Sequence, residues 1–118
     1  MRKILLIEDN KPTVEMIQLF LKLHDYEVEV AYNGKDGLQM APNADLVLLD
    51  VMMPEMDGLE VCRRLKSSAE TKNIPVIIVS IKADDLGKEG REIGATAYLA
   101  KPFDPEKLLS LIRRYLPG

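Results

Sequence analysis

Residues 46–50 read Leu-Val-Leu-Leu-Asp, a run of four branched apolar residues that ends at a carboxylate. The run does not alternate with polar residues, as a strand with one face in water would. Uninterrupted apolar runs of this length are typical of strands that helices cover on both faces. The segment therefore predicts a buried strand of a parallel sheet, with Asp50 directly after it.

Four further segments carry strand signals. The apolar runs at residues 4–7, 76–79 and 97–99 have the same character, whereas residues 28–31 alternate apolar and charged side chains and predict a strand nearer an edge. Helical signals lie between and after these runs, several of them opened by a capping Asn or Asp. The predicted helices are residues 12–24, 35–41, 58–67, 84–93 and 105–115.

Five alternations of strand and helix predict the architecture. Such an order forces parallel pairing through right-handed crossovers, which gives an α/β fold built as a three-layer α/β/α sandwich. With 118 residues the chain has room for one domain, residues 1–118, and for no second catalytic or DNA-binding domain.

Composition excludes several classes of function. A net charge of −3 provides no basic field for a phosphate backbone, so direct nucleic-acid binding is not expected. The apolar runs are too short to cross a membrane, and none resembles a leader. The single cysteine, Cys62, excludes an internal disulfide and fits a reducing compartment. We therefore expect a cytoplasmic protein.

Polar residues follow four of the apolar runs. In open parallel sheets, ligands bind beyond the carboxyl ends of the strands. Glu8 and Asp9 follow the first run, Asp50 the third, Ser80 the fourth and Lys101 the fifth. The sequence predicts that one edge of the sheet carries three carboxylates, a hydroxyl and an ammonium.

These residue types indicate phosphoryl chemistry. Three clustered carboxylates repel one another unless a cation neutralises them, and a site with few oxygen ligands favours Mg²⁺. Ser80 and Lys101 supply donors for a tetrahedral anion beside that metal. If Asp50 is the nucleophile, it can accept a phosphoryl group by in-line transfer.

Four motifs occur in the order and spacing of a known family. They are Ile-Glu-Asp-Asn at 7–10, Leu-Asp-Val-Met-Met-Pro-Glu-Met-Asp-Gly at 49–58, Val-Ser at 79–80 and Gly-Ala-Thr-Ala-Tyr-Leu-Ala-Lys-Pro-Phe at 94–103. From residue 2 to about 115 the chain resembles a response-regulator receiver domain of two-component signalling, in the single-domain form of the chemotaxis regulators. The resemblance implies a flavodoxin-like (βα)₅ fold with strand order 2-1-3-4-5.

The resemblance also implies a phosphorylation site. Asp50 would be the phosphoacceptor, and Asp50, Asp9 and the backbone carbonyl of Met52 would bind Mg²⁺, or Mn²⁺ in its place. Glu8, where the family more often has Asp, would act on the metal through a bound water. Ser80 and Lys101 would bind phosphate oxygens.

The same resemblance assigns other residues to the conformational switch and to the path by which small molecules reach the phosphoryl group. Tyr98 would change rotamer when Ser80 moves, and the Lys101–Pro102 peptide bond would be cis. Ile81 departs from the family, which usually has Ala or Gly there, and we expect it to narrow the path to the phosphoryl group. Met52 and Lys82 occupy the two positions whose side chains govern how water reaches the phosphoryl group.

The resemblance implies signalling by binding rather than turnover of a metabolite. The donor would be a histidine kinase or a histidine phosphotransfer protein. An output protein of unknown identity would bind the face made by the fourth predicted helix, the fifth strand and the last helix. The chain would be a monomer or a phosphorylation-linked dimer, and not an enzyme beyond its own modification.

Two other functions stay open. An unphosphorylated pseudo-receiver would act as a scaffold, although such modules commonly lose a site residue and none is missing here. An aspartyl-phosphate phosphatase would need an acid two residues after Asp50, where Met52 stands, and a cap domain for which the chain has no room.

The first predicted helix has an apolar arc wider than a core-facing stripe requires. The part of the arc beyond this stripe could be buried in two ways. It could pack against the last helix, or it could be the docking surface for a kinase's helical bundle or for a second copy of the chain. The core stripe is Val14, Ile17, Phe20 and Leu21; the surplus is Met16, Leu19 and Leu23; the last helix would contribute Leu108, Leu111 and Ile112.

Overall fold

A computed structural model describes residues 2–51, 58–81 and 91–116. Its sheet has five strands, all paired in parallel, in the order β2-β1-β3-β4-β5. This confirms the predicted fold class and strand order. The strands are β1 (Lys3–Ile7), β2 (Glu27–Ala31), β3 (Leu46–Leu49), β4 (Val76–Ser80) and β5 (Ala97–Ala100).

Side-chain oxygens of Asn10, Asn33 and Asp104 cap three of the described helices. The sequence predicts the caps at Asn10 and Asp104. Asn10 accepts from the backbone N–H of Thr13 at 3.0 Å, and Asp104 accepts from that of Glu106 at 3.0 Å. Both caps satisfy N–H groups that lack a partner in the first helical turn. The helices are α1 (Lys11–Leu23), α2 (Gly34–Met40), α3 (Gly58–Ser67) and α4 (Pro105–Tyr115), with a 3₁₀ turn at Ala41–Asn43.

The fourth predicted helix, residues 84–93, lies mostly outside the described residues. Residues 91–93 are helical and lead into a turn at Gly94, whose φ of +108° suits glycine. None of the described helices has the length and hydropathy to cross a membrane.

Successive residues of the central strands pack in two separate hydrophobic cores, one on each face of the sheet. Ile4 and Leu6 of β1 pack in the core that includes α1 and α4, whereas Leu5 and Ile7 pack in the core that includes α3. All residues of β3 and β4 are buried. The sheet is therefore covered on both faces, which is why its strands lack the alternation of a half-exposed sheet.

Helix α1 leaves part of its apolar arc in solvent. Ile17 and Leu21 are buried against α4 in the first core, and Phe20 is half-buried beside them. Met16, Leu19 and Leu23 are 42%, 63% and 72% exposed. The prediction that the last helix buries these three side chains is therefore wrong. Helix α4 packs through Leu108 and Ile112 against the buried side of α1.

Candidate functional site

Strand register brings two distant carboxylates together at the carboxyl edge of the sheet. Ile7 of β1 pairs with Leu49 of β3, so the next residues, Glu8 and Asp50, leave the sheet side by side. The backbone N–H of Asp50 donates to the carbonyl of Ile7 at 3.0 Å. Glu8 is 1% exposed and Asp50 6%, so both acidic groups are held largely out of water.

Asp9 completes an acidic cluster. Glu8, Asp9 and Asp50 each place a carboxylate oxygen within 4.8 Å of the others, and Asp9 is on the solvent side. Carboxylate oxygens at such spacing are the ligands that a hard divalent cation prefers. The donor set therefore fits Mg²⁺ or Mn²⁺. Met52, whose carbonyl the resemblance adds to this set, lies outside the described residues.

Lys101 reaches the same cluster from the end of β5. Its Nζ lies 2.5 Å from Oε1 of Glu8 and 3.4 Å from Oδ2 of Asp50, and its side chain is 17% exposed. The Lys101 backbone N–H donates to the carbonyl of Ser80 at 3.1 Å. The Lys101–Pro102 peptide bond is cis, the isomer that the resemblance implies. One ammonium thus contacts two buried carboxylates.

Glu8 has the most perturbed ionisation in the cluster. Burial raises the pKa of its carboxyl group, and contact with Asp50 raises it further, while the Lys101 ammonium lowers it; the result is about 7. The other oxygen of Glu8, Oε2, accepts from the backbone N–H of Asn10 at 3.2 Å. Sequence reasoning gave Glu8 only a contact through water and missed its pairing with Lys101.

A cleft of about 280 Å³ opens over the acidic cluster. Sequence reasoning did not include Asn10 and Thr13 among its lining residues, although the capping motif that joins them was visible in the sequence. The cleft is lined by Glu8, Asp9, Asn10, Thr13, Asp50, Ile81 and Lys101.

Of the neighbouring residues Ser80 and Ile81, Ile81 lines this cleft and Ser80 does not. Ser80 is the last residue of β4 and is fully buried, so its side chain does not line the cleft. Ile81 is 66% exposed and lines both this cleft and a neighbouring groove of about 380 Å³. The groove also includes Met16 of α1 and Phe103, and so joins the apolar surface of α1 to the cleft.

Tyr98 lies in β5, away from the cleft. Its ring packs against the second core, and its hydroxyl is buried with no hydrogen-bond partner among the residues that the structure describes. Burial raises the pKa of this hydroxyl. Lys82, the remaining access residue, lies outside the described ranges.

Comparison with known proteins places the chain in a family. Residues 4–113 match the family model of the response regulator receiver domain, and the chain belongs to that family. It is therefore a receiver domain of two-component signalling, a class of signalling protein, and the comparisons indicate no enzyme family.

One curated relative is response regulator ArlR of Staphylococcus saprophyticus. It is 42% identical over 119 aligned positions, which cover 98% of this chain and 53% of the relative. The chain thus spans about half the length of the curated relatives it matches.

Solved structures share the whole fold. The chemotaxis protein CheY4 of Vibrio cholerae superposes with a TM-score of 0.91 at 33% identity, covering 98% of this chain and 99% of that one. The receiver domain of the sensor histidine kinase PA1611 from Pseudomonas aeruginosa has a TM-score of 0.89 at 27% identity, covering 99% and 98%. That structure has a magnesium ion coordinated in its active-site cleft.

Proposed function

We propose that this chain accepts a phosphoryl group on Asp50 from a phosphohistidine protein, with the help of Mg²⁺, and that the modification changes which output protein it binds. The proposal rests on the charged groups that surround Asp50. Its carboxylate ends a buried strand, lies 3.4 Å from the Lys101 ammonium and shares an acidic cluster with Glu8 and Asp9.

Asp50 is the nucleophile in this account. An oxygen of its carboxylate forms a bond to phosphorus as the bond from phosphorus to the histidine nitrogen breaks, and the electron pair of that bond returns to the imidazole. Asp50 takes this role because it stands in the motif at residues 49–58 that resembles the family's phosphorylation site, and its carboxylate lies 3.4 Å from the Lys101 ammonium.

Asp9, Asp50 and the carbonyl of Met52 would hold the metal ion, and Glu8 would act on it through a bound water. When bound, Mg²⁺ neutralises charge on the transferring phosphoryl group. Asp9, on the solvent side, and Asp50, at the end of β3, would hold the metal ion. The cluster in this chain and the magnesium ion in the similar receiver domain of PA1611 both support this assignment.

Lys101 and Ser80 respond to the product. The Lys101 ammonium is close enough to Asp50 to pair with a phosphate oxygen there after a small movement. Ser80, buried at the end of the neighbouring strand, donates its hydroxyl to another phosphate oxygen. Tyr98 then changes rotamer, and the surface that includes β5 and α4, and that the sequence predicts to include the helix at residues 84–93, gains or loses its partner.

The partners follow from this chemistry. The donor is a histidine kinase or a histidine phosphotransfer protein, and the output protein is of unknown identity. Residues 1–118 act as one receiver domain in the cytoplasm, as a monomer or a phosphorylation-linked dimer, without binding nucleic acid directly. The domain catalyses its own phosphorylation and dephosphorylation and turns over no free metabolite.

Intact mass spectrometry tests the proposal. The chain is incubated with Mg²⁺ and either acetyl phosphate or a histidine-phosphorylated kinase domain, beside an Asp50→Asn variant and a sample with excess chelator. We expect one phosphoryl mass that both controls lack. Absence of the adduct with every donor would favour the unphosphorylated scaffold instead.

A further inference from the structure

Helix α1 carries three neighbouring apolar side chains that the rest of the described chain leaves in solvent. They are Met16, Leu19 and Leu23. Because successive residues of a helix are rotated by about 100°, these three positions lie within an arc of about 60°. Spacings of three and four residues place apolar side chains along the seam where one helix packs on another. The stripe is therefore shaped to receive a helix.

Two opposite charges border this stripe on one side. Glu15 and Lys22 are exposed and seven residues apart, so they lie within about 20° of each other around the helix and roughly 10 Å apart along it. That distance is too long for an ion pair within α1, and neither side chain is in an ion pair with any other described residue. The opposite border of the stripe, at Thr13 and Phe20, is uncharged.

This charge pattern is self-complementary in an antiparallel pair of helices. In a two-fold symmetric pair, each contact between one residue and another occurs twice. Two antiparallel copies of α1 have their charged borders on the same side, so Glu15 of each copy meets Lys22 of the other. In a parallel pair the charged border would meet the uncharged border of Thr13 and Phe20. The charges therefore favour the antiparallel arrangement.

We propose that a second copy of this chain occupies the stripe, with the two α1 helices packed antiparallel through Met16, Leu19 and Leu23. A helix of 13 residues is about 20 Å long and offers less area than the roughly 1,600 Å² of a standard interface. The dimer is therefore weak, with a dissociation constant of about 100 µM. The inference does not rest on the proposed function, because the pairing concerns the unphosphorylated chain.

Pairing through α1 also covers part of the approach to the cleft. Met16 lines the groove that includes Ile81, Lys101 and Phe103 and that joins the cleft. A protein that reaches Asp50 over this groove competes with the second copy. The dimer is then a resting form, and the monomer, which predominates at low micromolar concentration, is the form that accepts another protein at the cleft.

Sedimentation equilibrium tests the pairing. The chain is measured without a phosphodonor and with excess chelator, from about 10 µM to about 1 mM, a range that brackets the expected dissociation constant. We expect the wild type to dimerise with increasing concentration and Leu19→Asp to stay monomeric. Because Leu19 is exposed, the variant should fold like the wild type. A wild type that stays monomeric throughout, or a Leu19→Asp variant that dimerises equally well, would overturn the proposal.

A charge exchange tests the direction of the pairing. Glu15→Lys and Lys22→Glu each place like charges opposite each other twice, and each should weaken the dimer about tenfold. The double variant restores opposite charges at unchanged net charge and should return to within about threefold of the wild type. Single variants that dimerise as strongly as the wild type, or a double variant no stronger than either, would overturn the antiparallel pair.

Lys107→Glu is the matched control for Lys22→Glu. It makes the same change of charge at an exposed position of α4 and should leave the dissociation constant near that of the wild type. Weakening by Lys107→Glu as large as that by Lys22→Glu would mean that net charge or a contact through α4 controls the association, and would also overturn the proposal.

Discussion

Lys101 Nζ lies 3.4 Å from Oδ2 of Asp50, although 51 residues separate the two along the chain. The contact exists because β3 and β5 run parallel on either side of β4, so the residues that follow both strands reach the same edge of the sheet. It pairs an ammonium with a carboxylate that is 6% exposed. Several measurable consequences follow from this arrangement.

Stability of the metal-free chain should depend on Glu8 between about pH 4.5 and 7. The pKa of Glu8 is raised from 4.5 to about 7, so the folded chain binds this proton more tightly than the unfolded chain. The free energy of unfolding should therefore fall as the pH rises through that interval. Urea titrations across the interval, in the presence of a chelator, measure this slope.

Glu8→Gln is the matched control for the pH experiment. It keeps the length and hydrogen-bonding capacity of the side chain but cannot titrate, so the difference between the two proteins isolates Glu8 from all other groups. We expect this difference to shrink with falling pH. A difference independent of pH would mean that the pKa of Glu8 is unshifted.

Gly58 should tolerate alanine less well than Gly37. A Cβ at Gly58 would overlap the Cα of Val51 and lie 2.8 Å from the carbonyl oxygen of Asp50, so backbone beside the site would have to move. For a Cβ at Gly37 the three nearest atoms all belong to the Ile7 side chain and none to backbone. We expect Gly58→Ala to cost about 1–3 kcal/mol in free energy of unfolding and Gly37→Ala less. The reverse order would contradict the packing described.

Ile81 should limit the access of small phosphodonors. It is 66% exposed at the rim of the cleft, so Ile81→Ala should change stability by no more than about 0.5 kcal/mol. We expect the alanine variant to react with acetyl phosphate, or to lose its phosphoryl group to water, several times faster. Ile81→Val retains the branch at Cβ and should resemble the wild type. Unchanged rates for both reactions of Ile81→Ala would show that Ile81 does not narrow the path.

The exposed stripe of α1 should serve transfer from a protein donor but not from a small one. Met16, Leu19 and Leu23 follow the alternating spacing of three and four with which one helix packs on another. Met16 also lines the groove that joins the cleft. A variant carrying Met16→Asp and Leu23→Asp should phosphorylate normally with acetyl phosphate and much more slowly with a histidine-phosphorylated kinase domain.

Lys22→Asp provides the control for that stripe, because Lys22 is exposed on α1 but lies off the line of apolar residues. It should transfer at close to the wild-type rate. If the double variant kept the wild-type rate with the protein donor, docking through α1 would be wrong.

Much of the fold was predictable from local signals. Residues 46–49 of β3 and residues 76–79 of β4 are all apolar and buried. Asn10 and Asp104 are strong capping residues at the positions where helices begin. Parallel strands end at one edge of a sheet, so the meeting of Asp50 with Lys101 followed from the order of the elements.

Two features needed the three-dimensional structure. Lys101 contacts both Glu8 and Asp50, and the contact with Glu8 joins residues that are 93 positions apart, which local sequence patterns do not encode. The exposure of Leu19 and Leu23 depends on the rotation of α1 relative to α4. A wide apolar arc on α1 is compatible both with packing against α4 and with docking of another protein, so sequence periodicity could not distinguish the two.

We propose above all that Asp50 is the residue that accepts the phosphoryl group. The most direct test transfers phosphoryl from a histidine-phosphorylated kinase domain to the chain with Mg²⁺, digests the product and locates the added mass by tandem spectrometry. We expect the mass on Asp50, and none on the Asp50→Asn variant. A phosphoryl group found on another residue, or equal labelling of the variant, would contradict the account.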